Sequence, residues 1–135
     1  MTDIAAALGL SQLNRLDETI RKRQIVFETY QELLPTGVCR LQVMPPGSSW
    51  NVQTLGIDVG SENTRDAVLV QLENSNIQAG KLSYVASELL WNDGSLARTP
   101  NAEAIVRSSL TLPMYASMTE YEITRVTTAI REVIG

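Results

Sequence analysis

Few side chains in this sequence could carry out chemistry. It contains no histidine, one cysteine (Cys39) and two lysines (Lys22 and Lys81). Without histidine it lacks the usual general base near neutral pH, which excludes serine–histidine and cysteine–histidine nucleophile pairs. Lys81 follows Gly80 and could act as an amine nucleophile, but no acid or base converges on it in the sequence. An independent enzyme working through Lys81 is therefore kept only as an alternative, and we assign no catalytic residue.

The other candidate residues favour packing or solvation over chemistry. Lys22 lies between two arginines on a helical segment, and such mixed charges usually form a solvated face. Arg40 could lower the pKa of the neighbouring Cys39 thiol, but we favour a buried and unreactive cysteine. Trp50 and Trp91 adjoin loops and could stack on a nucleotide or a sugar, although aromatic residues serve packing more often. With these few ligands, we predict no metal site.

Length and charge limit the class of protein. The chain has 135 residues, of which 44% are hydrophobic, and a net charge of −4. These values predict a single domain over residues 1–135, and the negative charge argues against a general nucleic-acid binder. No run approaches the roughly 18 apolar residues of a membrane span, and no secretory signal is present. A single cysteine and no export signal indicate the cytoplasm.

The chain opens with a segment that is apolar on every side. Residues 5–8 and Leu10 face all directions of a helix, and helical spacing continues to a break at Pro35. We predict one long helix over Asp3–Leu34, with a bend or close contact at Gly9. A helix that is apolar all round requires burial all round. We therefore expect a partner for the first helix, either a missing domain or a second copy in a homodimer.

The rest of the sequence predicts short strands alternating with helices. Thr119 and Glu122 have the spacing of a capping box at the start of the last helix, and Val52 and Leu55 break the alternation of their strand. This order of elements predicts an α+β domain, with a small, mostly antiparallel sheet flanked by helices and a long N-terminal helix. The predicted elements are strands at 38–43, 50–59, 77–85 and 110–112, helices at 64–74, 102–108 (capped by Asn101) and from Thr119, and a loop or lid at 86–101.

Several segments, in order along the chain, resemble the small C-terminal domain of the DegT/DnrJ/EryC1/StrS aminotransferases. The resemblance runs from end to end of the chain. Enzymes of this family use pyridoxal phosphate to aminate keto-sugars attached to nucleotides. The segments that carry the resemblance are Met1–Ile4, Ala6–Leu13 and Leu16-Asp17, then Arg65–Val68 and Asn76–Gly80, and finally Leu112–Tyr115, Met118–Ile123 and Val126.

The resemblance implies the following function. The chain would be the C-terminal domain, or a fragment, of a nucleotide-sugar aminotransferase of polysaccharide or deoxysugar biosynthesis, inactive alone because the cofactor-binding large domain is absent. The family segment that binds the cofactor phosphate would precede Met1, so no cofactor-binding residue is carried over. Lys81, Tyr84 and Trp91 are the candidates for substrate binding. The alternative is a free-standing interaction or sugar-nucleotide-binding module without enzymatic activity.

Overall fold

The structure, a computed structural model, describes residues 2–84 and 99–135. Within them the chain forms helices that cover a small antiparallel sheet, which confirms the predicted α+β class. In chain order the elements are α1 (Asp3–Leu13), α2 (Leu16–Leu33), β1 (Arg40–Leu41), β2 (Leu55–Asp58), α3 (Glu62–Asn74), β3 (Gly80–Lys81), α4 (Pro100–Ser108), β4 (Ser109–Leu112) and α5 (Glu120–Ile134).

The sheet has the strand order β1-β2-β4-β3, and every neighbouring pair is antiparallel. Leu55 lies opposite Leu112, so their side chains share the face that the helices cover. Gly56 lies opposite Thr111 on the other face, which we call the open face. One face of the sheet therefore belongs to the core, while the open face carries small and polar residues.

The core forms where α2, α3 and α5 pack on the covered face. Tyr30 of α2 is fully buried, and its hydroxyl donates a hydrogen bond of 3.0 Å to the carbonyl oxygen of Pro113. This bond joins α2 to the end of β4. The core residues are Val26, Tyr30, Leu34, Leu55, Ile57, Val59, Val68, Leu72, Leu110, Leu112, Ile123, Val126, Ala129 and Ile130.

The single long N-terminal helix was a wrong prediction, because the chain forms two helices separated at Asn14-Arg15. Arg15 has φ −112° and ψ 6°, outside the helical region. Among the described residues, those of α1 are all exposed, whereas α2 is packed on α5, so no common packing surface keeps the two helices in line. Gly9 lies inside α1, and a Cβ atom there would meet no neighbour within 4 Å, so the close contact, one of the two alternatives predicted for Gly9, was wrong.

The strands occur where predicted, but β1, β2 and β3 are shorter and β4 begins one residue earlier than predicted. β2 begins at Leu55 because Val52, although buried, has φ +47°, a conformation that β-branched residues rarely adopt. The irregularity predicted between Val52 and Leu55 takes this form. β1 and β3 contain only two residues each. The strand predicted for residues 77–85 and the loop or lid predicted for residues 86–101 both extend into residues 85–98, which lie outside the described residues.

The helix starts follow the local capping chemistry. The capping box of α5 is confirmed, because Thr119 and Glu122 each accept a hydrogen bond from the backbone N–H of the other. Ser61 caps α3 and starts it two residues earlier than predicted. Asn101 was wrong as the cap of α4, because the helix begins at Pro100, which suits a first helical position that needs no N–H donor.

Candidate functional site

The structure brings two of the three predicted substrate-binding residues to one edge of the sheet. Lys81 lies in the edge strand β3, opposite Leu110, and Tyr84 follows three residues later with 70% of its surface exposed. Both side chains are therefore open to a ligand or a partner from outside the domain. Trp91 lies outside the described residues.

The path of this edge segment depends on a contact that the sequence did not single out. Leu82 lies between the two candidates, and its side chain turns onto the open face against Gly56. A Cβ atom at residue 56 would approach Leu82 Cδ1 to 2.8 Å. The absence of a side chain at Gly56 therefore leaves the space that Leu82 occupies. The sequence signal for such a close approach was a glycine inside a predicted strand.

A cleft of about 590 Å³ occupies the open face beside this contact. Its lining includes the cross-strand ion pair of Arg40 with Asp58. Burial alone would raise the pKa of Asp58. Hydrogen bonds from the Gly60 N–H and from the side chains of Ser108 and Arg40 outweigh burial and lower this pKa below that of an ordinary aspartate. The open-face cleft is lined by Arg40, Leu41, Gln42, Trp50, Gln53, Thr54, Gly56, Ile57, Asp58, Leu82, Ile105 and Ser109.

Trp50 has both a packing role and an exposed side. Its ring meets Phe27 edge-on, with ring centres 5.1 Å apart and planes at 71°, so part of the indole belongs to the packing against α2. The same residue lines the open-face cleft and is only half-buried. The structure thus supports the packing interpretation and leaves one side of Trp50 accessible.

A second cleft, of about 600 Å³, lies between the start of β3 and the start of α5. On its α5 side, the Tyr115 hydroxyl donates to Glu122 Oε1 at 2.7 Å, and the Thr119 backbone N–H donates to Glu122 Oε2. Hydrogen bonds from Thr119 and Tyr115 lower the pKa of Glu122. Arg125 at its rim donates to the carbonyl oxygen of Ser75. This network organises the start of α5.

The structure agrees with the non-catalytic interpretations of Lys22 and Cys39. Lys22 forms an ion pair of 2.7 Å with Glu18 one turn away on α2, and both side chains are about half exposed. Cys39 is half-buried just before β1, and burial raises the pKa of its thiol to about 11. A thiol with this pKa is almost wholly protonated near neutral pH and reacts slowly.

Arg65 is a buried cation that the sequence did not reveal as such. Its side chain is 2% exposed, and the guanidinium forms ion pairs with Glu62 and Asp66. It also donates to the carbonyl oxygens of Val106 and Arg107 in the last turn of α4. Arg65 therefore fastens α3 to α4, immediately before β4, and acts in the structure of the domain.

The described parts of the chain contain neither a metal-binding cluster nor a membrane-spanning helix. Residues 2–84 and 99–135 contain no cluster of three or more cysteine, aspartate or glutamate side chains that could hold a metal ion. In the same ranges, no helix is both long and apolar enough to cross a bilayer.

Comparison with known proteins gives a consistent result over the whole chain. The model of the DegT/DnrJ/EryC1/StrS aminotransferase family matches residues 1–131. The sequence is 30% identical over 145 residues to GDP-perosamine synthase of Caulobacter vibrioides, covering 99% of this chain and 38% of that protein. It is 29% identical over 136 residues to dTDP-4-amino-4,6-dideoxy-D-glucose transaminase of Escherichia coli, covering 94% and 36%.

The fold of the chain is also found in a solved structure. The aminotransferase TlmJ from Streptoalloteichus hindustanus superposes with a TM-score of 0.88 at 24% identity, over 99% of this chain and 37% of that one. The chain thus spans little more than a third of the length of the proteins that it resembles.

Proposed function

Because the chain belongs to the DegT/DnrJ/EryC1/StrS aminotransferase family, we propose that it is the small C-terminal domain of an enzyme that aminates a nucleotide-linked keto-sugar. The family match over residues 1–131 is the observation that carries this proposal. The names of the two curated relatives support the substrate class, since they are a GDP-perosamine synthase and a dTDP-sugar transaminase. A cytoplasmic location, supported by the single cysteine, is part of the same proposal.

The described residues do not fit the family's cofactor, pyridoxal phosphate. An enzyme that uses it needs a lysine for covalent attachment and an acidic partner for the pyridine nitrogen. Lys22 is paired with Glu18 on a helix surface, and Lys81 is exposed at a sheet edge, where no acidic side chain of the described ranges forms an ion pair with it. Neither lysine of this chain is therefore proposed to carry the cofactor. The cofactor-holding residues are proposed to belong to the part of the relatives' length that the chain does not span.

The proposed contribution of this domain is to bind the substrate at the exposed edge of its sheet. Lys81 supplies a cation for the charged phosphates of a nucleotide sugar, and Tyr84 supplies an aromatic ring for stacking. The contact between Gly56 and Leu82 fixes the segment that runs from Lys81 to Tyr84. Trp91 remains a candidate for the same role on sequence grounds.

A chimera tests this proposal. The corresponding third of the Caulobacter GDP-perosamine synthase is replaced with this chain, and amination of the keto-sugar nucleotide is measured beside the intact enzyme. We expect the chimera to be active. Lys81→Ala or Tyr84→Ala in the chimera should raise KM with little change in kcat. Glu120→Ala, an exposed change on α5 distant in sequence from the edge segment, serves as the control. A soluble chimera that binds the cofactor but does not aminate any nucleotide sugar would contradict the proposal.

The isolated chain gives an independent test. Incubated with pyridoxal phosphate and borohydride, it should acquire no stoichiometric adduct by intact mass. An adduct confined to Lys81 would instead support an independent enzyme.

A free-standing module that binds a sugar nucleotide is the second candidate, and the open-face cleft supports it. That cleft offers the accessible side of Trp50 beside Arg40 and several amide and hydroxyl groups. Calorimetry of the isolated chain with GDP- and dTDP-sugars separates the two functions. Tight binding that is lost in Trp50→Ala would favour the module, whereas the domain proposal expects no tight binding without the rest of the enzyme.

A further inference from the structure

The first helix contributes nothing to the core of this domain. Every residue of α1 is exposed, and its four large apolar side chains, Ile4, Leu8, Leu10 and Leu13, each retain between 62% and 76% of their surface. Contiguous exposed apolar surface of this kind usually marks an interaction site. The next apolar residue, Leu16, is 47% exposed at the start of α2, so the surface continues across the break between the helices.

The large side chains of α1 lie on two opposite sides of the helix. With about 100° of rotation per residue, Ile4 and Leu8 are separated by about 40°, and Leu10 and Leu13 by about 60°. The step from Leu8 to Leu10 is about 200°, which puts the second pair across the helix from the first. We call Ile4 with Leu8 the first stripe and Leu10 with Leu13 the second stripe.

This arrangement distinguishes between possible occupants. A two-fold contact between α1 and the α1 of a second copy would cover one stripe of each helix and leave the opposite stripe in water. A membrane surface is a poor match because interfacial helices need a polar, basic face, whereas the only charged residue of α1 is Asp3. Both stripes are covered at once only if the helix lies in a groove with apolar walls on either side.

We propose that α1 inserts into an apolar groove of the cofactor-binding part of the same enzyme. This inference depends on the proposed function, because the groove belongs to the 62–64% of the curated relatives' length beyond the 36–38% that this chain spans. The break at Asn14-Arg15 separates α1 from the packed body of the domain. The helix can therefore take up the direction that the groove requires without disturbing α2.

The first experiment uses the isolated chain. Hydrogen exchange of the α1 amides should be within about tenfold of the unstructured rate, and no discrete dimer with protected α1 should appear as the concentration rises. A dimer with protected α1 that Leu8→Glu abolishes and Leu13→Glu spares would mean that the occupant is a second copy. Protection of α1 in a strict monomer would mean that the helix packs inside its own domain. Either outcome overturns the proposal.

The second experiment uses the chimera with the Caulobacter enzyme. We expect α1 to gain about 100-fold protection there, and Leu8→Glu and Leu13→Glu, one from each stripe, each to remove at least about tenfold of it. Val70→Glu on α3 is the matched control, because Val70 is a similarly exposed apolar residue at 57%. Sensitivity to one stripe alone overturns the groove.

The two proposals can fail separately. A chimera with protected α1 and no amination would overturn the proposed function alone. An active chimera with freely exchanging α1 would overturn the docking of α1 alone.

Discussion

The side chain of Leu82 occupies the space that a Cβ atom at residue 56 would need. Leu82 Cδ1 and Cδ2 lie 2.8 Å and 3.2 Å from that position. Gly56 belongs to β2 and Leu82 follows β3, and strand β4 lies between these two strands. The contact therefore crosses over β4 on the open face of the sheet. Gly56 and Leu82 together fix the chain between the two exposed candidates, Lys81 and Tyr84.

This contact predicts that the effect of Gly56→Ala on the free energy of unfolding depends on the side chain at position 82. In the native chain, Gly56→Ala should lower the free energy of unfolding by about 1 kcal/mol, the low end for overpacking, because the methyl groups of Leu82 can move. In a Leu82→Ala background, the same change should be neutral or stabilising by about 0.4–1 kcal/mol, because alanine restricts the unfolded chain. Denaturant unfolding of the four proteins measures the coupling. Equal effects in both backgrounds would contradict the contact.

Arg65 should be the most sensitive charged residue among those described. Arg65→Ala removes donors from two carbonyl oxygens of α4 and should destabilise the domain by about 3 kcal/mol, the low end for a buried pair because Glu62 and Asp66 remain hydrated. Arg65→Lys should recover only part of the loss, because one ammonium cannot replace a planar guanidinium. Arg125→Ala, an exposed arginine, is the control and should cost under about 1 kcal/mol. Urea unfolding with similar losses for Arg65→Ala and Arg125→Ala would refute this role.

The capping box predicts a local cost at the start of α5. Thr119→Ala should destabilise by about 1 kcal/mol, because the N-cap hydroxyl no longer accepts the Glu122 N–H. Glu122→Ala should cost less, and the double variant should cost less than the sum, because the two residues cap each other. Strict additivity in denaturant unfolding would show that they act independently.

The thiol of Cys39 should be nearly inert in the folded protein. With its pKa raised to about 11 by burial, only about one thiol in a thousand is ionised at pH 8. A disulfide reagent should therefore react at pH 8 at least about 100-fold more slowly with the folded chain than with the chain in urea. The folded rate should rise about tenfold per pH unit up to pH 10. A folded chain that reacts as fast as the unfolded one would mean that the thiol is accessible and ionised.

Sequence patterns predicted the elements best where local chemistry decides the structure. The capping box at Thr119 and Glu122 marked the start of α5, since it depends on residues three apart. Strand ends were less predictable: the alternation that begins at Trp50 continues into Val59, yet β2 pairs only from Leu55 because Val52 is in a left-handed conformation. The broken alternation between Val52 and Leu55 marked an irregularity, but it did not reveal that Val52 is left-handed or where the strand pairing begins.

In the candidate site too, the residues suggested by local sequence could be predicted, whereas those that act through distant contacts could not. Lys81 and Tyr84 were chosen as candidates because they follow a glycine in a strand-like segment, and they lie in and just after the edge strand β3. The roles of Gly56 and Arg65 depend on contacts with residues at least 26 positions away, Leu82 and Arg107 among them, and composition does not reveal such contacts. The break at Asn14-Arg15 was missed because helical periodicity continues across it.

The break at Asn14-Arg15 separates the free energy of unfolding of the domain from the free energy of ordering α1. Because α1 makes no core contact, the stability of the domain does not include the cost of ordering this helix, and an isolated helix of 11 residues is only marginally stable in water. In the proposed docking, the ordering cost arises when α1 enters the groove, so helix propensity within α1 should affect the docking equilibrium and not the stability of the domain. Gly9→Ala should therefore strengthen docking by about 1 kcal/mol, roughly fivefold, and leave the unfolding midpoint of the domain unchanged.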